Sequence, residues 1–216
     1  MIKAVIFDMD GVIINSEPLW EKTERILLSR RDIEYNPTYR DKIVGLNQND
    51  SASLLKDTFK LPESIQALID ERVGILISIY EKELGLIPGV FSLASELKET
   101  GFLLALASSS PYKVVEFVID KFSLNKCFQV VVSGDMIELG KPNPDIYLYA
   151  AKTLRVNPNE CVAIEDSING VKSAKSAGLF CIAIPDKRLT QKDFQIADLV
   201  VDSLNSIDAQ VIKSLG

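Results

Sequence analysis

Two aspartates, Asp8 and Asp10, are the first residues in the chain whose type and spacing could support chemistry. They follow an apolar segment at residues 2–7 that is rich in β-branched side chains, which predicts a mostly buried strand. Gly11 comes directly after them and can adopt a turn conformation. Because a strand that ends in acids places them at its carboxyl end, the pair would lie at the edge where open α/β sheets bind ligands.

Three interpretations of this aspartate pair are open from the segment alone. A D-x-D-G segment most often forms a polar turn that closes a strand. An EF-hand loop also begins with D-x-D, but it needs its glycine two positions beyond the place of Gly11 and a glutamate at its end. In the third interpretation, one aspartate is a nucleophile and the other carries a proton.

Polar residues also follow three later strands. Ser108 comes after the apolar residues 102–107, where its hydroxyl and the free backbone N–H groups suit a phosphate or an oxyanion. Lys141 comes after the strand predicted at residues 129–133 and a loop, and Glu165 and Asp166 follow the strand predicted at 161–164. Each segment has a structural alternative, because a lone lysine is usually solvated and Asp166 or Ser167 could cap the next helix.

The clusters say more together than each one alone. If the strands share one parallel sheet, six side chains converge on one edge: Asp8, Asp10, Ser108, Lys141, Glu165 and Asp166. Two unit charges ~4 Å apart repel by ~4 kcal/mol at an effective dielectric near 20, so four carboxylates beside one ammonium need a hard divalent cation. Oxygen ligands favour Mg²⁺, which in turn fits a phosphate substrate held by the serine and the lysine.

The elements that must position these residues alternate between strands and helices after residue 88. Strands are predicted at residues 102–107, 129–133, 161–164, 180–184 and 199–201, and helices at 90–100, 111–121, 144–154, 168–177 and 207–215. Repeated βα units with apolar strands predict a parallel sheet covered by helices on both faces. Between residues 15 and 83 the pattern is helical only, at 19–31, 39–44, 51–59 and 63–84. Ser16, Ser110 and Asn143 are predicted N-caps.

The composition excludes several functional classes. The chain has 216 residues and no histidine, so Ser-His-Asp and Cys-His catalysis and histidine-ligated zinc are excluded. A net charge of −6 without a long basic run argues against nucleic acid and anionic membranes as partners. No apolar run approaches the ~20 residues of a membrane span, and three cysteines without a CxxC motif predict reduced thiols. We expect a cytoplasmic protein.

Four segments of the chain together resemble the four motifs of the haloacid dehalogenase superfamily. They are F-D-M-D-G-V at residues 7–12, the serine at 108, the lysine of G-K-P-N-P-D at 140–145 and the late E-D at 165–166. More narrowly, the chain is similar to the branch that contains β-phosphoglucomutases and sugar-phosphate phosphatases. The resemblance spans nearly the whole chain, in the right order and spacing, and it is weaker in the helical insertion.

The resemblance implies an α/β fold with a Rossmann-like parallel sheet, helices on both faces and a central first strand. We therefore predict a catalytic core at residues 1–14 and 84–216 and a mobile all-helical cap at residues 15–83, inserted after the first strand. Two hinge segments are expected near residues 13–16 and 84–88. The expected protein is a monomer or a weak dimer that acts on a small phosphorylated metabolite.

The resemblance also implies the roles of the core residues. Asp8 attacks phosphorus and becomes an aspartyl phosphate, while Asp10 protonates the leaving oxygen and then deprotonates the water that resolves the intermediate. Ser108 and the N–H group of Ser109 bind the transferring phosphoryl group, and Lys141 offsets its charge.

The metal site follows from the same resemblance. Mg²⁺ is expected on the Asp8 carboxylate, the Asp10 backbone carbonyl and Asp166, with Glu165 binding directly or through a water. A dehalogenase needs neither Asp10 nor Mg²⁺, so that branch of the superfamily is rejected.

The cap decides between a phosphatase and a phosphomutase. β-Phosphoglucomutases carry a histidine near the position of Trp20 and basic residues at positions resembling Val44 and Gln48, and this chain has none of these. We therefore predict a phosphatase for small phosphate monoesters such as sugar phosphates, with a phosphomutase as the alternative and a non-enzymatic phospho-acceptor module as a weaker one. Trp20, Asn47 and Gln48 are the predicted specificity residues.

Overall fold

A six-stranded parallel sheet forms the centre of the protein, in a computed structural model that describes residues 1–39, 43, 46, 48–185 and 191–216. The spatial strand order is β3-β2-β1-β4-β5-β6. The strands are β1 (Ala4–Phe7), β2 (Leu103–Ala107), β3 (Val130–Val132), β4 (Cys161–Glu165), β5 (Phe180–Ala183) and β6 (Leu199–Val200). The predicted parallel sheet with a central first strand is therefore confirmed.

The strands are buried because alternate side chains enter two different cores. Val5 and Phe7 of β1 pack in one core, whereas Ala4 and Ile6 pack in the other on the opposite face. All four are fully buried. This period of two, with apolar side chains on both faces, explains why the strands read as continuous apolar runs in the sequence.

Eight longer helices occur in the described part of the chain. Three of them come between β1 and β2 along the chain: α1 (Glu17–Ser29), α2 (Gln48–Phe59) and α3 (Ile65–Glu83). The other five are α4 (Val90–Glu99), α5 (Tyr112–Phe122), α6 (Asp145–Leu154), α7 (Ile168–Ser176) and α8 (Ala209–Ser214). The predicted insertion is thus helical in its described residues, while most of the helix predicted at 39–44 lies outside them.

Of the three predicted N-caps, one holds its position and two are wrong. Ser16 is the N-cap of α1 but its side chain makes no capping hydrogen bond, and Pro111 rather than Ser110 stands at the N-cap of α5. Pro144 takes the N-cap position predicted for Asn143. By contrast, the Ser167 side chain does cap α7, accepting a hydrogen bond from the N–H of Gly170 at 3.0 Å.

The two segments that connect the helical insertion to the sheet are hydrogen-bonded to each other. Asn15 N–H donates to the carbonyl of Gly85 at 3.2 Å, and Ile87 N–H donates to the carbonyl of Ile13 at 2.9 Å. These pairs flank an antiparallel bridge between Ile14 and Leu86. The segments are those predicted as hinges, and they run side by side where the helical insertion joins the sheet.

No helix among the described residues combines the length and the apolar character that a membrane crossing requires.

Candidate active site

The segments that follow β1, β2, β3 and β4 bring together the six core residues predicted from the sequence, with Lys141 coming from the segment after β3. β1 pairs with β2 on one side and with β4 on the other, so the segments that follow these three strands are neighbours. Asp8, Asp10, Lys141 and Asp166 line one cavity of about 70 Å³, and Ser109 lines it as well. Ser108 and Glu165 lie behind this surface, fully buried and bonded to residues that line it.

Lys141 links two of the carboxylates. Its ammonium group donates to Asp8 Oδ1 at 2.5 Å and to Glu165 Oε1 at 2.6 Å, and only 4% of the residue is exposed. Burial alone would lower the pKa of Lys141, but the negative charges of Asp8 and Glu165 outweigh burial and raise it above its ordinary value. The lysine is therefore a permanent cation inside the site and not a solvated surface residue.

Tyr147 is a member of this network that the sequence analysis missed. Its hydroxyl group donates to Glu165 Oε1 at 2.6 Å, and its ring centroid lies 5.3 Å from the Lys141 ammonium. Burial, followed by the charge of Glu165, raises the pKa of Tyr147 well above its ordinary value, so the tyrosine remains a hydrogen-bond donor. In the sequence it lies within an apolar helical run beside the exposed Tyr149, and the pattern marks it only as a core residue.

Glu165 is held at every acceptor position. Beyond the bonds to Oε1, its Oε2 accepts from the backbone N–H of Asp166 and from the Ser167 hydroxyl, both at 3.2 Å. Gly170 leaves the space that this carboxylate fills, since a Cβ atom there would lie 1.9 Å from Glu165 Cδ. This saturation favours Glu165 as the residue that positions Lys141, rather than as a direct metal ligand.

A buried acidic cluster lies beside the lysine. Carboxylate oxygens of Asp8, Glu165 and Asp166 lie within 4.8 Å of one another, and all three residues are buried. Burial, opposed by Lys141 and reinforced by Glu165, raises the pKa of Asp8 to about 8. Burial and the charges of Asp8 and Glu165 raise the pKa of Asp166 well above its ordinary value. These raised pKa values reflect first the burial of the carboxylates and then their mutual repulsion, both of which a divalent cation would offset, so the donor set fits Mg²⁺.

Gly11 allows the first loop to approach this cluster. Its φ angle is +81°, and a Cβ atom on it would lie 1.8 Å from Asp166 Oδ2. A side chain at residue 11 would therefore collide with the second aspartate of the cluster and would be strained at this φ angle.

Asp10 accepts four side-chain hydrogen bonds. Its Oδ1 accepts from the Ser16 hydroxyl at 2.6 Å and from the Trp20 indole N–H at 3.3 Å. Its Oδ2 accepts from the hydroxyl groups of Ser108 at 3.2 Å and Ser110 at 3.0 Å. Two of these donors come from the segment that begins the helical insertion and two from the loop after β2, so Asp10 contacts both.

Four polar or aromatic side chains of the helical insertion also line the cavity: Trp20, Gln48, Ser51 and Arg72. A second cavity of about 540 Å³ adjoins it, and Gln48 and Ser109 line both. Of the predicted specificity residues, Trp20 and Gln48 therefore face the site, whereas Asn47 lies outside the described residues. Sequence analysis missed Arg72, because nothing distinguishes it from other charged residues of a long helix.

The chain is similar to a known family and to known proteins over most of its length. The model of the haloacid dehalogenase-like hydrolase family matches residues 5–184 of the chain. Hexitol phosphatase B of Escherichia coli K12 is 34% identical over 216 residues, which covers 97% of this chain and 96% of the relative.

Two solved structures share the fold over nearly the full length. A mutant of CbbY from Rhodobacter sphaeroides, in complex with xylulose-(1,5)bisphosphate, has a TM-score of 0.86 at 29% identity, covering 94% of this chain and 95% of the other. β-Phosphoglucomutase from Clostridium difficile has a TM-score of 0.87 at 25% identity, covering 100% and 97% of the two chains.

Proposed function

The chain belongs to the haloacid dehalogenase-like hydrolase family, and on that premise we propose that it is a magnesium-dependent phosphatase for small phosphate monoesters, sugar or polyol phosphates in particular. The observation that carries this proposal is the buried Asp8–Lys141–Glu165 network beside Asp166, at the bottom of a cavity that the cap covers. The similarity to hexitol phosphatase B supports the same class of substrate.

Asp8 is the proposed nucleophile. One of its carboxylate oxygens attacks phosphorus, the bond from phosphorus to the leaving oxygen breaks, and an aspartyl phosphate forms. Lys141, which touches Asp8 directly, offsets charge on the transferring group, and the Ser109 N–H and the Ser108 hydroxyl bind its oxygens. In the described conformation the Ser108 hydroxyl donates to Asp10, so it must turn when phosphate enters.

Asp10 is the proposed proton carrier. It donates a proton to the leaving oxygen in the first step and takes one from water in the second, when phosphate is released from Asp8. Its contacts with Trp20 of the insertion and with Ser108 and Ser110 after β2 support this role, because the leaving group and the water would have to reach it in turn.

Mg²⁺ is the proposed cofactor. Asp8, Asp166 and the backbone carbonyl of Asp10 would hold it, with Glu165 at most through water because its oxygens already accept five hydrogen bonds. When bound, the ion offsets the charge of the carboxylates and of the phosphoryl oxygens. This role matches the raised pKa values of Asp8 and Asp166.

A sugar phosphomutase is the second candidate function, favoured by the similarity to the β-phosphoglucomutase structure. Hydrolysis is preferred because Trp20 and Gln48, which line the cavity, stand at positions where β-phosphoglucomutases carry a histidine and a basic residue. Monomeric or weakly dimeric assembly and a cytoplasmic location remain predictions.

The test compares Asp8→Asn with wild type and with Asp120→Asn, the same substitution at an exposed position of α5. Each protein is given p-nitrophenyl phosphate and a panel of sugar and polyol phosphates with Mg²⁺, and both free phosphate and isomerised product are measured. We expect wild type and Asp120→Asn to release phosphate and Asp8→Asn to release none. Turnover by Asp8→Asn, in assays too short for deamidation, would rule out the nucleophile, and isomerised product without phosphate would establish the mutase.

A further inference from the structure

The four side chains that donate hydrogen bonds to Asp10, among the described residues, differ in what else the proposed reaction asks of them. Ser108 is proposed to bind the transferring phosphoryl group, so its hydroxyl must leave Asp10 when substrate enters. Ser16 and Trp20 belong to the segment that begins the helical insertion, and both donate to Oδ1. Ser110 is the fourth donor, 3.0 Å from Oδ2, and the proposed reaction gives its hydroxyl no second partner.

Backbone hydrogen bonds hold Ser110 in the core. Its N–H group donates to Ser108 Oγ at 3.0 Å, and its carbonyl accepts from the N–H of Gly134 at 3.0 Å. Pro111 follows with the restricted φ of a proline, −61°, and only 3% of Ser110 is exposed. Ser110 is therefore held between the loop after β2 and the loop after β3, and neither loop belongs to the helical insertion.

The loop after β3 packs closely against the backbone around Ser110. Gly134 lies so near that a Cβ atom on it would be 2.3 Å from the carbonyl oxygen of Ser109. The next residue, Asp135, accepts from the backbone N–H of Tyr112 with both carboxylate oxygens, at 2.8 and 3.1 Å. These contacts hold the chain on both sides of Ser110, so the core sets the position of its hydroxyl group.

The two oxygens of the Asp10 carboxyl group have different roles in the proposed reaction. One must face the leaving oxygen and then the water, whereas the other can remain bonded to the core. The terminal torsion of an aspartate has a broad energy profile, so a fixed donor on one oxygen is needed to hold the other in one direction.

We propose that Ser110 is the positioning residue of Asp10. Its hydroxyl donates to Oδ2 through both steps of the reaction and keeps Oδ1 directed at the leaving group and then at the water. Ser110 acts through Asp10 and not on the substrate. The inference rests on the proposed function, because it concerns the residue that carries the proton there.

Both steps balance with the proton on Oδ1 of Asp10. In the first, Asp8 attacks phosphorus, the electron pair of the breaking P–O bond goes to the leaving oxygen, and that oxygen takes the proton from Oδ1. In the second, water attacks phosphorus, its proton passes to Oδ1, and the electron pair of the broken bond returns to the Asp8 carboxylate. Ser110 keeps its own proton in both steps.

The leaving group decides how much the first step needs Asp10. p-Nitrophenolate is a stable anion that leaves without a proton, whereas an alkoxide must be protonated as it leaves. A residue that orients Asp10 therefore matters more for an alkyl phosphate than for an aryl phosphate. A residue that only stabilises the fold affects both esters alike.

The experiment measures kcat/KM for sorbitol 6-phosphate, an alkyl ester, and for p-nitrophenyl phosphate, with Mg²⁺ present, because kcat/KM reports formation of the aspartyl phosphate. Ser110→Ala removes the hydroxyl and Ser110→Thr keeps it. Ser95→Ala is the matched control, since it removes an exposed hydroxyl that donates to the Glu99 carboxylate within α4. Thermal unfolding of each variant is measured alongside.

Ser110→Ala should lower kcat/KM about 10-fold for the alkyl ester and less than about 2-fold for the aryl ester. Ser110→Thr and Ser95→Ala should keep the wild-type ratio of the two values. Equal losses for both esters in Ser110→Ala, or no loss for either, would overturn the positioning role. Equal losses in Ser110→Ala and Ser110→Thr would overturn it too, because the hydroxyl would then not be the group that matters.

Asp10→Asn separates this inference from the proposed function on which it rests. This variant should lose at least about 100-fold in kcat/KM for sorbitol 6-phosphate, the usual contribution of a general acid, and much less for p-nitrophenyl phosphate. A wild-type protein that hydrolyses neither ester, or wild-type kinetics in Asp10→Asn, would contradict the proposed function. A selective loss in Asp10→Asn without one in Ser110→Ala would contradict the role of Ser110 alone.

Discussion

Replacement of Gly170 by alanine tests whether Glu165 must stay in place for Lys141 to work. An alanine Cβ would lie 1.9 Å from Glu165 Cδ and 2.0 Å from both of its carboxylate oxygens, whereas real Cβ contacts essentially never fall below 3.0 Å. The carboxylate must therefore move by at least 3.0 − 1.9 = 1.1 Å. A shift of that size along the bond would lengthen the Lys141–Glu165 distance from 2.6 Å to about 3.7 Å, beyond hydrogen-bond range.

The expected cost is that of a charge-assisted hydrogen bond, about 1.5–3 kcal/mol. If Lys141, without its bond to the displaced Glu165, no longer offsets charge in the transition state, kcat/KM for p-nitrophenyl phosphate should fall about 10- to 150-fold. The free energy of unfolding should change less, because alanine is favoured over glycine within a helix by ~1 kcal/mol. Loss of activity with near-normal stability is the expected signature.

Gly74 provides a matched control, since it lies within α3 and a Cβ atom there would meet nothing within 4 Å. Gly74→Ala should raise the free energy of unfolding by ~0.5–1 kcal/mol without changing kcat/KM. Steady-state kinetics, thermal unfolding and Mg²⁺ titration of both variants complete the comparison. Wild-type kcat/KM in Gly170→Ala would refute the reasoning, because it would mean that the position of Glu165 does not govern the lysine.

Three further predictions concern the metal and the network around it. Asp166→Ala should weaken Mg²⁺ binding, measured by calorimetry, by at least roughly 10–100-fold, the loss typical when a residue that only supports a metal ligand is removed. Unchanged affinity would make Asp166 a structural residue only. Burial raises the pKa of Asp8 from 3.8 to about 8, so the folded protein holds the Asp8 proton more tightly than the unfolded chain. In the metal-free protein the stabilisation from this proton is present below pH 3.8 and is lost as pH rises through 8. The increase in Tm on adding Mg²⁺ should therefore be larger at about pH 8.5 than at about pH 6, and an equal increase would contradict this. Tyr147→Phe should lower kcat/KM about 10-fold because it removes the hydrogen bond to Glu165. Tyr149 lies on the same helix and is 40% exposed, so Tyr149→Phe should leave kcat/KM unchanged. Equal kinetics in the two variants would refute a role for Tyr147.

The sequence by itself determined the sheet and the main site residues, because both depend on local patterns. Apolar runs ending in Asp8, Ser108 and Glu165 predicted parallel strands, and parallel strands place their carboxyl ends at one edge. The structure confirms this sheet and brings those residues together with Lys141. The chemical roles assigned to them remain predictions, as do the division into core and cap and the hinge motion.

Side-chain capping by Ser16 and Ser110 was predicted wrongly because a hydroxyl group can either cap a helix or donate to a carboxylate elsewhere in the fold. Ser16 and Ser110 stand where a helix begins, which favours capping on local grounds, yet both hydroxyl groups donate to Asp10. A buried carboxylate attracts donors from any part of the chain that reaches it, and no local pattern reveals which parts do so.

Only the tertiary structure decided which residues support the site from a distance. Tyr147 and Arg72 look like ordinary helical residues in the sequence, and Gly170 looks like a weak point in a helix. Tyr147 contacts Glu165, 18 positions along the chain, and Arg72 contacts Glu24, 48 positions away. Gly170 leaves the space for Glu165, 5 positions before it. These contacts depend on which faces of the helices the packing turns inward. Local residue patterns specify which elements form, but the contacts between elements come from the packing of the whole chain, and these contacts hold Lys141 and Arg72 in place.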